Sequence, residues 1–111
     1  MHELGLCSSI VDAIETRAGE REVSRVRVRV GRLHHVHPEA FEQSFAIAAM
    51  GTVAEDATAE LVVLPVSERC GSCGNSWHSD DIQELCPNCG AADIELTGGE
   101  ELVLELIEYR V

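Results

Sequence analysis

The sequence contains no lysine and few basic residues of any kind. Its 8 basic residues are all arginine and stand against 20 acidic residues, which gives a formal net charge of -12 at pH 7. Most non-specific affinity for nucleic acids comes from the neutralisation of phosphates by basic side chains. The shortage of positive charge therefore argues against DNA or RNA as a partner and favours a well-solvated, self-repelling surface.

Long apolar runs are missing as well. No stretch approaches the roughly 20 apolar residues that span a bilayer, and the chain start lacks a basic region followed by an apolar run and a small-residue cleavage site. These absences predict a cytoplasmic protein that does not enter a membrane. In a reducing compartment, the close pairing of four of the 5 cysteines indicates metal ligation rather than disulfide bonds.

The rest of the chain alternates between helical and strand patterns. Its 111 residues allow one ordinary domain, or a modest core with a small metal-held appendage, but little room for a substrate cleft. Apolar residues at three- and four-residue spacing in 3–16 predict an amphipathic helix, and Pro38 suits the first turn of a second one. Segments 25–30, 58–66 and 101–109 have the apolar patterns of strands.

This order predicts an α+β fold in which a three-stranded sheet is backed by two helices and carries an inserted zinc-ribbon-like knuckle domain. The main domain is then discontinuous and comprises residues 1–67 plus 100–111. Residues 68–99 form the metal-binding domain, because this segment is poor in large aliphatic residues and contains both cysteine pairs.

The first predicted strand alternates Val26, Val28 and Val30 with Arg25, Arg27 and Arg29. One face is therefore apolar and the other basic. A row of arginines can bind an anion, but in so acidic a protein we favour pairing with glutamates of the last strand. The glutamates in question are Glu101, Glu105 and Glu108.

The cysteine pairs are Cys70-Gly-Ser-Cys73 and Cys86-Pro-Asn-Cys89, each followed by glycine. Two intervening residues let a tight turn aim both thiolates at one ion, and the glycine permits the positive φ that such a turn needs. Four thiolates leave no open coordination position, so a structural zinc site is expected. Tetrahedral iron, as in rubredoxin, is the second choice, and Trp77 is the only aromatic residue in the insert that would shield it.

The chain start offers a second set of metal ligands. An amino group, the His2 imidazole and the amides of His2 and Glu3 lie within a few bonds of one another. Nitrogen-rich tetragonal sets of this kind suit Ni(II) or Cu(II). A carboxylate at this place also stabilises a helix start, so spacing alone does not decide between the two roles.

From Met1 to the last strand the sequence resembles the HypA/HybF family of hydrogenase nickel-incorporation proteins. The matching features are MHELGL at the start, VRVRVGRL after the first helix, HPEAF at the second helix, and the motifs CGSC and CPNC. The resemblance implies a nickel-binding α/β domain that uses His2, Glu3 and the Met1 amino group. It also implies a zinc domain held by Cys70, Cys73, Cys86 and Cys89.

The resemblance further implies a metallochaperone rather than an enzyme, with structural Zn(II) and transported Ni(II). Its expected partners are a GTPase that inserts nickel and the large-subunit precursor of [NiFe]-hydrogenase, while some members of the family also serve urease. Two alternatives remain at this point. One is a zinc-ribbon interaction module of the transcription or translation machinery, and the other is a rubredoxin-like electron carrier.

Several other side chains have two interpretations. His34, His35 and His37 stand where relatives usually have small or acidic residues, and they form either an extra nickel site or a solvated turn. His78 is a solvated loop residue or a substitute zinc ligand. Cys7 falls on the apolar face of the first predicted helix and is expected to be buried.

Overall fold

Helix α1 (His2–Ala18) buries the apolar face that the sequence predicts. The computed structural model describes residues 2–111. Cys7 and Ile14 are fully buried, and Ile10 and Val11 are nearly so. The Cys7 thiol donates to the carbonyl of Phe41 across 3.6 Å, so this cysteine is a core residue of α1.

Helix α2 (Pro38–Ala49) begins with proline in its first turn, as predicted, and packs against α1. Phe41 and Phe45 stack with ring centroids 6.1 Å apart. Together with Ala49 they complete the helical side of the core. The first N–H groups of α2 need acceptors outside the helix, and this start is tied to Glu3, as described below.

Three strands form the sheet of the main core in the order β2-β1-β6. They are β1 (Val23–Gly31), β2 (Thr58–Leu64) and β6 (Leu102–Tyr109). Val26, Val28 and Val30 are buried, which confirms the predicted apolar face of β1. A short 3-10 helix (Arg32–His34) follows β1.

The arginines of β1 pair with glutamates on both neighbouring strands. Arg25 bonds Glu108 of β6 and also Glu60 of β2 at 2.6 Å. Arg27 bonds Glu60 at 3.1 Å, and Arg29 bonds Glu105 of β6 at 3.3 Å. The predicted pairing is confirmed for Glu105 and Glu108, and the row of arginines is not an open anion site.

Two points of the sequence prediction need correction here. Glu101 forms no ion pair with these arginines, and its Oε1 instead accepts the N–H of Gly99 at 2.6 Å. The partner that sequence reasoning missed is Glu60, which lies on the strand at the opposite edge from β6. A central strand can form ion pairs with both of its neighbouring strands, and the charge pattern of the sequence alone does not show this.

A second sheet occupies the insert between β2 and β6. It has the order β4-β3-β5, with β3 (Val66–Cys70) in the centre, β4 (Ser76–Ser79) on one side and β5 (Ile94–Gly98) on the other. Both pairings are antiparallel. The predicted strand at 58–66 is two strands, since β2 ends at Leu64 and β3 starts after Pro65.

The described chain divides into two compact units. One contains the residues up to Arg29, Val36–Val62 and Val103–Val111, and the other contains Val30–His35 and Val63–Leu102. The predicted domain boundaries, with their functional labels, stay a prediction. Among residues 2–111, no helix is long and apolar enough to cross a membrane.

Backbone contacts hold the segment 30–35 within the second unit. Gly31 donates to the Glu101 carbonyl at 2.7 Å, and Leu33 donates to the Gly99 carbonyl at 2.9 Å. A Cβ on Gly31 would lie 2.1 Å from the carbonyl group of Gly99, so no side chain fits there. Arg32 adds an ion pair of 3.6 Å with Asp80.

Candidate metal centre

Both Cys-X-X-Cys segments fold into the same turn. In the first, Cys70 N–H donates to Asn75 O at 2.8 Å and Gly74 N–H donates to Cys70 O at 2.9 Å. The second repeats this pattern with Cys86 and Gly90, at the same two distances, and with Ala91 as the acceptor. Gly74 and Gly90 both have φ of +77°, which confirms the positive φ expected from the sequence.

The two turns bring four sulfur atoms together. The Sγ atoms of Cys70, Cys73, Cys86 and Cys89 all lie within 4.8 Å of one another. Cys70 and Cys89 are separated by 3.6 Å, and Cys73 and Cys86 by 3.7 Å. Zinc-to-sulfur bonds of about 2.3 Å in a tetrahedron require sulfur atoms about 3.8 Å apart. The donor set therefore fits one tetrahedral Zn(II).

Backbone and side-chain N–H groups surround the sulfur atoms. Cys73 N–H points at the Cys70 sulfur, and Cys89 N–H points at the Cys86 sulfur, each at 3.4 Å. Asn88 contributes its backbone N–H to Cys86 at 3.3 Å and its side-chain amide to Cys73 at 3.7 Å. Asn88 does not stand out in the sequence, although its place inside the second cysteine pair is the available signal.

These donors favour thiolate formation at two of the four positions. Burial opposes ionisation of Cys86, but the N–H groups of Cys89 and Asn88 and the neighbouring thiols outweigh it and lower the pKa of Cys86 to about 6. The Asn75 backbone and the Asn88 side chain lower the pKa of Cys73. Ala91 N–H favours the Cys89 thiolate, yet the neighbouring cysteines raise the pKa of Cys89 to about 11. The cluster therefore holds thiolate near neutral pH, the form that binds metal.

Gly71 and Asp93 fix the outer side of the first turn. Gly71 N–H donates to the Asp93 carbonyl at 2.8 Å. A Cβ on Gly71 would lie 2.3 Å from the Asp93 carboxylate. A larger residue at position 71 would displace this carboxylate and with it the start of β5, which pairs with Cys70 through Ile94. Only the fold shows why glycine follows Cys70.

The chain start is the other candidate metal site. His2 is exposed at the first position of α1, and Glu3 is half-buried. The pKa of Glu3 is lowered by the hydrogen bond from its own backbone N–H, by the N–H of His37, and by the positive charge of His2 and His37. The bond from His37 N–H to Glu3 Oε2 measures 3.4 Å. The predicted contribution of the Met1 amino group lies outside the described residues.

The remaining histidines do not add a preassembled site. His34 Nε2 lies 2.9 Å from the Glu100 carbonyl, and His78 Nδ1 lies 2.8 Å from Ser67 Oγ. His78 is exposed, but it belongs to strand β4 rather than to a loop. Over residues 2–111, the four cysteines form the only group of three or more His, Cys, Asp or Glu whose ligand atoms converge. His34, His35 and His37 are therefore not brought together as metal ligands.

The fold and the cysteine geometry define a class: small α+β proteins whose inserted zinc-ribbon-like unit carries a closed four-thiolate centre. Comparison with known proteins is consistent with this class and narrows it. Residues 1–109 match the family model described as hydrogenase/urease nickel incorporation, metallochaperone, hypA. The chain belongs to this family.

Relatives and solved structures agree. The chain is 39% identical to hydrogenase maturation factor HypA 1 of Bradyrhizobium diazoefficiens, over 97% of this chain and 98% of the relative. It is 37% identical to hydrogenase maturation factor HypA of Rhodopseudomonas palustris strain TIE-1, with the same coverage. The solution structure of the Ni metallochaperone HypA from Helicobacter pylori aligns with a TM-score of 0.69 and 24% identity, over 98% of this chain and 97% of that one. This last likeness supports the fold.

Proposed function

We propose that this chain binds one Ni(II) at its start and delivers it for maturation of [NiFe]-hydrogenase, while Zn(II) on Cys70, Cys73, Cys86 and Cys89 holds the inserted unit. The nickel ligands are the His2 imidazole, the backbone at His2 and Glu3, and the Met1 amino group. The chain binds and transfers an ion and catalyses no reaction. It acts in the cytoplasm with a GTPase and the hydrogenase large-subunit precursor.

The observation that carries this proposal is family membership over residues 1–109, together with a His2-Glu3 start on α1. The relatives named above are hydrogenase maturation factors. The family description includes urease as well as hydrogenase. We favour hydrogenase as the client because the relatives' names specify it.

The geometry at the chain start supports an exchangeable site. His2 is exposed, so an incoming or outgoing ion reaches its imidazole without unfolding the core. The first amides of a helix have no carbonyl acceptor one turn earlier, so the helix ladder does not compete with a metal for them. The lowered pKa of Glu3 keeps its side chain a carboxylate. This negative charge next to the ligands offsets the positive charge of the bound cation.

The zinc role is supported by the chemistry of the sulfur atoms. Soft thiolates in a tetrahedral set suit zinc, whereas Ni(II) bound to nitrogen ligands prefers a tetragonal arrangement. Each metal thus has its own donor set. A four-thiolate shell has no open position, so the ion there stabilises structure and is not the one that is delivered.

Nickel titration of untagged protein tests the proposal. Isothermal titration calorimetry of the wild type should give one nickel per chain, and His2→Ala should reduce affinity by at least about tenfold, because one strong ligand is lost. Two extra residues ahead of Met1 should have a similar effect, since they remove the amino group from the site. His78→Ala is the matched control and should bind like the wild type.

The outcomes separate the two metals. If the extended chain and His2→Ala both bind nickel as tightly as the wild type, the chain-start site is wrong. Native mass spectrometry of the same samples should show one zinc in every variant. A red, iron-containing protein would instead favour the rubredoxin-like alternative for the four cysteines.

The client is tested in cells. In a strain that lacks this chain and makes both enzymes, we expect the nickel content of purified hydrogenase to fall. The wild-type chain should restore it and His2→Ala should not. A nickel deficit confined to urease would contradict the proposed client while leaving nickel binding intact.

A further inference from the structure

Glu68 is the one charged residue that the structure buries among residues 2–111, with 1% of its surface exposed. It is the middle residue of the central strand β3, two residues before Cys70. No ion pair within that described range includes it. Because a buried carboxylate is costly unless its oxygens accept hydrogen bonds, its contacts show what the buried charge stabilises.

Glu68 accepts two hydrogen bonds, both through its Oε1 atom. The Trp77 indole N–H donates to it at 3.3 Å, and the backbone N–H of Gln83 donates at 3.0 Å. Trp77 stands directly opposite Glu68 in the antiparallel pairing of β3 with β4. Glu68 Oε1 therefore joins strand β4, through Trp77, to the segment that follows β4, through Gln83.

The segment that Gln83 anchors leads into the second cysteine pair. Residues 80–85 connect β4 to Cys86 and contain no strand or helix. The apolar residues of this segment do not anchor it, because Ile82 is 51% exposed and Leu85 is 58% exposed. Of the hydrogen bonds made by residues 81–85, the one from Gln83 reaches the buried face of the sheet.

We propose that Glu68 is a positioning residue for the zinc centre: by holding Trp77 and Gln83 on one oxygen, it fixes residues 81–85 so that Cys86 and Cys89 meet Cys70 and Cys73. The inference rests on the zinc part of the proposed function. Its physical basis is that a donor left without its acceptor next to a buried site pays the cost of its lost hydrogen bond. Without the Glu68 hydrogen bonds, the turn that carries Cys86 and Cys89 would detach from the zinc ion more often.

Zinc release into excess chelator measures this directly. We expect Glu68→Met, which keeps the length of the side chain and removes both acceptors, to release zinc about tenfold faster than the wild type. Glu68→Gln keeps one acceptor oxygen without the charge. Its release rate should lie between those of the wild type and Glu68→Met.

Val66→Ala is the matched control. Val66 is fully buried on the same face of β3, so its truncation weakens the same unit without touching the Glu68 bonds. It should release zinc at close to the wild-type rate. Equal acceleration by Val66→Ala and Glu68→Met would mean that general stability governs release, and this would overturn the proposal.

A measurement on the wild type covers the case in which Glu68→Met fails to fold. The Gln83 amide, with its bond to a buried carboxylate, should exchange its hydrogen at least about tenfold more slowly than an unprotected peptide amide. Exchange at the unprotected rate would overturn the proposal. Zinc content of the wild type, measured first, distinguishes this failure from an absence of zinc.

Discussion

Removal of the proposed zinc ion is expected to unfold the unit that contains the cysteines and to leave the other unit folded. The two units differ in buried apolar material. Twelve buried residues form the main core cluster, all within the unit of the two helices. The cysteine unit buries only Val30, Val66, Cys70 and Cys86 as hydrophobic residues.

The magnitudes decide which unit depends on metal. Full burial of a valine contributes about 1.5–3 kcal/mol, so the two buried valines supply a few kcal/mol at most. A structural zinc ion in a small peptide domain contributes about 10–16 kcal/mol. Without the ion, the cysteine unit cannot offset the conformational entropy of its chain.

Two spectroscopic signals separate the units. Both α-helices, of 17 and 12 residues, belong to the main unit. The single tryptophan of the chain, Trp77, belongs to the cysteine unit. After incubation with excess EDTA, tryptophan emission should shift to longer wavelength, while ellipticity at 222 nm should stay close to its original value. Added zinc should reverse the shift.

Two results would refute this reasoning. Loss of the helical signal together with the tryptophan signal would show that the main core also depends on zinc. An unchanged emission spectrum after zinc has left would show that the cysteine unit folds on its own contacts. Atomic absorption on the dialysed sample establishes that zinc was removed in either case.

Three further outcomes follow from local contacts. Burial raises the pKa of Cys7 to about 11 from an ordinary 9.0, so four thiols should react with Ellman's reagent in EDTA at pH 8 and Cys7 only in denaturant. The contribution of the buried Cys7 thiol to stability is complete below pH 9 and should be lost by about pH 11, which urea unfolding midpoints measured across this pH range would show. Arg25→Met removes ion pairs to two glutamates that are only partly buried, and should cost about 1 kcal/mol in urea unfolding at low salt and less in 1 M salt. Gly31→Ala should lower the free energy of unfolding by about 1–3 kcal/mol because its Cβ meets the Gly99 backbone, whereas Gly5→Ala, in open space on a helix, should not destabilise.

The main core could be predicted because its signals are periodic and local. Apolar spacing in 3–16 identified α1 to within two residues of its observed ends, and proline marked the start of α2. Alternation of valine and arginine gave both faces of β1. Each pattern reflects burial of one face over several turns or residue pairs, which makes it robust to single polar substitutions.

The second sheet was missed for a physical reason. Its strands are four or five residues long, and β3 has serine, glutamate and arginine at its centre. Short polar strands carry little intrinsic preference, since strand propensity mainly reflects packing against neighbours. Here β3 is held between β4 and β5, and its last residue is itself a cysteine of the cluster. The spacing of apolar residues in the sequence does not reveal this support from neighbouring strands.

The cysteine centre, the proposed nickel ligands and Glu68 also differ in how well the sequence predicts them. The cysteine centre was readable because ligand spacing within each pair determines the turn, and the structure brings the two pairs together. The proposed nickel ligands required the family resemblance, since a histidine and a glutamate at a helix start are common. Glu68 was not identified, because a glutamate between serine and arginine looks solvent-exposed in sequence. Its burial depends on strand register.

In the proposed function, the contrast between the two donor sets explains how one small chain keeps one metal and releases the other. The cysteine sulfurs lie on a central strand and two hydrogen-bonded turns, so an ion there leaves only when several bonds open together. His2 stands exposed at the end of a helix, so an ion there can leave as single ligands detach. A carrier needs this second kind of site, because slow release would defeat delivery. Exchange of nickel should therefore be faster than exchange of zinc in the same molecule, even where both are bound tightly.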